Sequence, residues 1–212
     1  MKITKTVYQV DDVTGTPSLI VGDQYLTLID AGVPGCETKI FAAIESLGRK
    51  PADLKHILIT HSDGDHIGAL PALVAATGAK VYAQRDEAEV TEGKRKTRGG
   101  QMVAKPAKVD QIVKEGDVLP LHGGIRVVEA FGHTLGHVCY YVLSEKLLFT
   151  GDCMTNTNGL TGSLPQYTAN PVLAKATVRK IAALAPDSLA FGHGPAIVDG
   201  AAAKLRALAE TM

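Results

Sequence analysis

The chain has 212 residues, 45% of them hydrophobic, and its 22 Lys and Arg balance 22 Asp and Glu to a net charge of zero. That length buries a full core within one domain of ordinary to large size, and the neutral balance removes any global electrostatic pull toward nucleic acid or membrane. Three scattered cysteines, Cys36, Cys139 and Cys153, argue against a disulfide framework, residues 1–6 lack the apolar core of a secretion signal, and no apolar run reaches bilayer length, so a soluble cytoplasmic protein is expected.

Short strands and turns open the chain. Residues 5–10 read as a strand, and 18–21 with 25–29 read as a hairpin around Gly22-Asp23. Ile40, Phe41, Ile44 and Leu47 share one helical face in residues 37–47, with Gly48 as the stop signal. Residues 54–60 form an apolar strand that runs into Thr60-His61-Ser62-Asp63-Gly64-Asp65-His66, and residues 67–74 read as the helix beyond it. A strand over 80–83 follows. From 85 to 108 the apolar pattern weakens, and the basic stretch over residues 94–100 reads as a solvated insertion loop rather than an anion-binding patch. Strands resume at 111–113, 125–130, 138–143 and 147–150, then a helix at 171–184, a strand at 188–191 and a closing helix at 201–209. Two strand-rich halves with helices outside account for this order better than a repeating βαβ chain, which points to an α/β layered sandwich.

The 60–66 segment places two imidazoles and two carboxylates on one loop at a strand's C-terminal end. Such a cluster is expensive at neutral pH unless a cation compensates the repelling carboxylates. Three further strands each deliver one ligand into a glycine-containing turn. These are His133 in Gly132-His133-Thr134-Leu135-Gly136-His137, Asp152 in Thr150-Gly151-Asp152, and His193 in Gly192-His193-Gly194.

This ordered set resembles the metallo-β-lactamase-fold superfamily, especially its glyoxalase-like and lactonase-like hydrolases, across residues 17–195. The family's first motif, Thr-His-x-His-x-Asp-His, matches positions 60–66 except that Asp63 stands where histidine is usual. The resemblance implies a four-layer αββα sandwich of two mixed sheets over a single domain, residues 1–212. It also implies two divalent metal ions. His61, Asp63 and His133 would hold the first and Asp65, His66 and His193 the second, with Asp152 bridging. Zinc is the first expectation, and the hard oxygen of Asp63 makes iron or manganese acceptable. His137 reads as a group supporting the ligands, His56 and His122 as surface residues, and Cys153 as a small buried residue.

No Gly-x-Ser-x-Gly elbow supplies a side-chain nucleophile. The resemblance therefore implies hydrolysis of a small ester, thioester or lactone by a metal-bridging hydroxide, with Asp65 orienting the water and Asp152 holding both metals. Residues 155–170 correspond to a segment that borders the substrate pocket in relatives, which makes Tyr167 a candidate oxyanion donor. The expected partner is a small-molecule substrate, with neither nucleic acid nor membrane, and a homodimer is left open. Three rivals share the fold: a flavodiiron-like protein, which also has an acidic residue at the position of Asp63; an iron-dependent sulfur dioxygenase using His61, His133 and Asp152; and a non-catalytic metal- or ligand-binding module.

Overall fold

A computed structural model describes all 212 residues, which cluster into two compact units, Met1–Val113 and Lys114–Met212. The first unit is built on a six-stranded mixed sheet in the order β1-β2-β3-β4-β5-β6: Val7–Gln9, Ser18–Val21, Leu26–Ile29, Leu54–Leu58, Lys80–Gln84 and Gln111–Val113. The first three strands pair antiparallel, β2 and β3 through the hairpin around Gly22, while β3 to β6 run parallel. Parallel pairing requires crossovers, and the helices supply them: α1 (Glu37–Ser46), α2 (Gly64–Ile67), α3 (Leu70–Thr77) and α4 (Arg85–Thr91). Ile40 and Ile44 of α1 and Leu70 and Leu73 of α3 are buried in the same core as Leu19, Leu28, Ile57 and Val81 of the sheet.

The second unit carries a five-stranded sheet in the order β13-β10-β9-β8-β7. In chain order its strands are β7 (Val118–Leu119), β8 (Ile125–Glu129), β9 (Val138–Val142), β10 (Leu147–Phe149) and β13 (Ser188–Ala190). A two-stranded ribbon, β11 (Met154–Thr155) with β12 (Thr161–Gly162), interrupts the series. Only β10 and β13 are parallel, and α5 (Pro171–Leu184) crosses between them. Asn170 caps α5 by accepting from the amides of Val172 and Leu173, and Pro171 sits at its first position, so the helix begins where the sequence signals it. Val178 and Ile181 of α5 and Leu205 of α6 (Ala201–Glu210) pack with Leu148 and Leu189.

Helices and two mixed sheets agree with the expected α/β class. Two local expectations were wrong. The helix expected at 67–74 is two pieces: α2 starts inside the ligand motif, and α3 restarts at Leu70 with Pro71 in its first turn. The weakly patterned stretch after 85 begins with a true helix, α4, whose buried residues include the charged Glu87 as well as Ala88 and Val90. A buried Glu weakens the apolar periodicity that betrays a helix. It is held because its Oε2 accepts from the amide of Ser62 at 2.8 Å and from the Ser62 hydroxyl at 2.5 Å.

Glu87→Ala removes that acceptor and leaves a buried amide to desolvate alone. We expect a loss of about 2 kcal/mol of stability, read as a lower urea midpoint with an unchanged denaturant slope. A variant as stable as the parent would show that Ser62 finds another acceptor.

Candidate metal centre

In the first unit the ligand motif lies at the C-terminal ends of neighbouring parallel strands. β3 ends at Ile29 beside Leu58 of β4, so Asp30 and the residues after Leu58 emerge together. Asp30 adopts a left-handed backbone, φ 57°, and its amide donates to the Leu58 carbonyl at 2.9 Å. One carboxylate oxygen accepts from the Thr60 amide and the other from the Thr60 hydroxyl, both at 2.8 Å. The second oxygen also lies 2.9 Å from Nδ1 of His66, and the Thr60 hydroxyl lies 3.0 Å from Nδ1 of His61. Both rings are fully buried, with centroids 4.0 Å apart.

These contacts occupy the Nδ1 side of each ring and present Nε2 as the ligating atom, the arrangement in which an outer carboxylate orients a metal-binding imidazole. Nε2 of His61 is 3.8 Å from Oδ2 of Asp63, and Nε2 of His66 is 4.0 Å from Oδ2 of Asp65. Gly15 sits over the same turn with φ 76°, and a Cβ there would lie 1.9 Å from the carbonyl oxygen of Asp65. Only glycine lets that segment approach the ligand loop so closely.

In the second unit the candidate ligands follow the C-terminal ends of three strands that point the same way. His133 lies in the connection between β8 and β9, while Asp152 and His193 follow the parallel strands β10 and β13 at matched distances, since Phe149 pairs with Ala190. Oδ2 of Asp152 lies 3.9 Å from Nε2 of His133 and 3.2 Å from Nε2 of His193, as a shared carboxylate would. Nδ1 of His133 contacts the Ser163 hydroxyl at 3.0 Å, which in turn accepts from Thr168. Fully buried His137 accepts the amide hydrogen of Asp152 on Nε2 at 3.1 Å, a direct support for the turn that carries this ligand. Gly132, at φ 139°, lies where a Cβ would meet the Ala174 backbone at 2.4 Å, so the His133 turn can rest on the start of α5.

The donor set suits a divalent cation. Metal–ligand distances of about 2.0–2.2 Å place two donors on one ion roughly 3–4 Å apart, which is the spacing found within each unit. Imidazole nitrogen mixed with carboxylate oxygen accommodates zinc and also harder ions.

Asp63 has a partner that the sequence did not suggest. Nη2 of Arg98 donates to Oδ2 of Asp63, the oxygen that faces His61. Lys94 and Arg95 pair with Glu92 and Asp86 on the surface, as a solvated loop should, but Arg98 turns inward and is 29% exposed. The solvated-loop expectation thus fails at one residue. Sequence reasoning also missed Asp30, Glu87 and Ser163, since none belongs to the ligand motifs, and it gave Thr60 no role although Thr60 opens the first motif. The left-handed Asp30, in an Asp-Ala-Gly turn after a strand, was the one available signal.

Among the other residues, Tyr167 lies in a short turn and is 52% exposed. His56, expected at the surface, is half-buried: its Nδ1 is 3.0 Å from the Tyr82 hydroxyl, and burial lowers its pKa. Cys139 and Cys153 are buried with their sulfurs 3.5 Å apart, and burial followed by that contact pushes the Cys153 thiol well above its usual range. A buried, protonated thiol is a packing group rather than a nucleophile.

Two outcomes test this architecture. Asp30→Asn keeps a side chain that tolerates the left-handed backbone but weakens the hold on His66, so divalent-metal affinity should fall about 10- to 100-fold by competition with a chromogenic chelator. Unchanged affinity would show that packing alone sets the ring. Arg98→Met leaves the Asp63 carboxylate uncompensated, so the metal-free protein should lose about 1 kcal/mol and the metal-loaded protein less, because a cation replaces the guanidinium. Equal losses in paired thermal melts would place Asp63 outside metal binding.

Residues 10–193 match the family described as the metallo-beta-lactamase superfamily. A hydroxyacylglutathione hydrolase of Rhodobacter capsulatus is 34% identical over 142 residues, 66% of this chain and 48% of the relative, and one from Rhizobium meliloti is 30% identical over 81% of this chain and 62% of its own length. The chain therefore spans about half to three-fifths of the length of these two relatives. The Bacillus subtilis protein YobT, of uncharacterized function, is 32% identical over 92% of this chain and 91% of its own length. Among solved structures, a B3 metallo-beta-lactamase described as the first with an active-site glutamic acid superposes with TM-score 0.77 and 25% identity, covering 99% of this chain and 88% of that one. BJP-1, a subclass B3 enzyme of Bradyrhizobium japonicum, gives 0.73 and 26% over 100% and 90%. With a family match across most of its length and a donor set at strand ends in each unit, the chain belongs to the metallo-beta-lactamase superfamily.

Proposed function

We propose that the chain is a metal-dependent hydrolase of a small ester, thioester or lactone, and that residues 1–212 act as one metallo-β-lactamase-like domain. The observation that carries this reading is the orientation of the ligands: His61, His66 and His133 each engage a protein oxygen through Nδ1, while Asp152 lies near Nε2 of two histidines. The family match, which spans both units, and the relatives named hydroxyacylglutathione hydrolases support it.

In this reading His61, Asp63 and His133 hold a first divalent ion, Asp65, His66 and His193 a second, and Asp152 belongs to both. Zinc is the first expectation, with iron or manganese admitted by Asp63. The ions, when bound, lower the pKa of water toward neutrality and stabilise negative charge on a substrate carbonyl oxygen. Asp65 orients the attacking water. Asp152, whose loop is tied through its amide to His137, keeps one carboxylate position through the reaction. Tyr167 donates its hydroxyl toward the carbonyl oxygen. The substrate is a small molecule, consistent with zero net charge. No helix is long and apolar enough to cross a membrane, and a cytoplasmic location fits this reading.

Hydrolysis of a panel of activated esters, thioesters and lactones, run beside oxygen uptake with a persulfide, decides between this reading and an iron-dependent oxidoreductase, which Asp63 favours on ligand chemistry. Metal-loaded protein should hydrolyse part of the panel, lose activity to a chelator and regain it with metal. Asp152→Ala and His133→Ala should each reduce kcat/KM by more than about a hundredfold, without recovery on adding metal. Oxygen consumption with no hydrolysis would overturn the proposal.

A further inference from the structure

The first unit contains a cavity of about 770 Å³, in the range of small-molecule sites. Its walls come from four segments: the turn before α1, the 62–64 part of the ligand motif, α2 with the start of α3, and the 97–105 loop. Most of the lining is apolar, including Pro34, Ile67, Ala72 and Val103. Met102 also lines it and is 50% exposed, a large apolar side chain left half in water at the cavity wall. Asp63 belongs to both the cavity and the ligand motif, so whatever fills the cavity lies beside a metal-ligand candidate.

One polar group in this wall lacks a hydrogen bond. Glu37, at the first position of α1, is part of the lining, and its Oε2 is buried with no hydrogen-bond partner. A sealed carboxylate oxygen without a donor is costly, on the order of 1–3 kcal/mol. The terminal carboxylate torsion is soft, so a small rotation presents the oxygen to a donor in the cavity. Lys105 is the only cationic side chain in the lining; it is exposed, with its charge available to water.

We propose that this cavity binds an apolar group bearing a nitrogen donor, a protonated amine or an amide N–H, with the apolar part against Ile67, Ala72 and Val103 and the nitrogen at Glu37. This group is the acyl or leaving portion of the substrate if the hydrolase reading holds, and the binding itself is independent of that reading. Apolar walls favour chain length, because each methylene removed from water strengthens binding, and the buried Oε2 of Glu37 selects a donor over an acceptor, while the other carboxylate of the lining, Asp63, is paired with Arg98.

Calorimetric titration of the metal-loaded protein at pH 7 with butylamine, octylamine and 1-octanol tests this. Affinity should rise about threefold to fourfold per methylene from butylamine to octylamine, and octylamine should bind about tenfold more tightly than 1-octanol. Ala72→Trp, at an exposed helix position, fills the cavity and should abolish octylamine binding, and Ala104→Trp on the facing loop should do the same. Glu37→Gln should equalise the amine and the alcohol. Circular dichroism and melting curves establish that each variant is folded. Unaltered octylamine binding in both folded tryptophan variants, or affinity independent of chain length, overturns the assignment. An amine preference that survives Glu37→Gln overturns the role of Glu37. Octylamine binding without cleavage of any ester, thioester or lactone would sink the hydrolase reading and leave the cavity assignment standing; cleavage of one of these without octylamine binding would do the reverse.

Discussion

The carboxylate of Asp30 is the contact on which the geometry of the first unit depends. Its two oxygens reach the amide and hydroxyl of Thr60 and the Nδ1 of His66, and through the Thr60 hydroxyl they also influence His61. Two imidazoles are thereby oriented by one acid placed at the end of the adjacent parallel strand. A carboxylate buried this deeply is tolerable only while all of these donors remain in place. The strained φ of 57° at Asp30 belongs to the same bargain, since the turn aims the carboxylate across to β4. Backbone strain at such a position is held by the surrounding hydrogen bonds.

The second unit solves the same problem differently. Its ligands come from a hairpin connection and from two parallel strand ends, and the supports are neutral: the Ser163 hydroxyl on His133 and the His137 ring under the Asp152 amide. A carboxylate that must serve two histidines gains from a neutral neighbour, which adds no competing charge. The contrast extends to Asp63, where an inward-turned Arg98 meets the one ligand position that departs from the family's pattern. Replacing an imidazole by a carboxylate adds a negative charge, and the guanidinium compensates it from a loop more than thirty residues away in sequence. Asp63 thus faces two groups at once, the Arg98 guanidinium and Nε2 of His61.

Two chemistries therefore converge beside the ligand motif of the first unit. One is the array of nitrogen and oxygen donors that suits a divalent ion, and the other is an apolar cavity with one buried carboxylate oxygen. A catalyst of acyl transfer needs both, a centre that activates water and a surface that holds the non-reacting part of the substrate, because binding away from the reacting bond can be used to orient it. The superfamily supplies the first in common, while loops such as 97–105 set the second, which is why family membership leaves the substrate open.

The sequence by itself determined the α/β class, most of the strands and the helices at α1, α5 and α6, because each has a clear apolar period and recognisable start and stop residues. It also marked His61, Asp63, Asp65, His66, His133, Asp152 and His193, since ligands clustered on glycine-rich strand ends form a local pattern. Tertiary structure alone decided what supports them. Asp30, Glu87, Ser163 and Arg98 act through space on residues 25 to 36 positions away, and no periodicity records such a contact. The helix α4 was hidden for the same reason: Glu87 is buried there to serve Ser62, so its charge disguises a core face as a surface one.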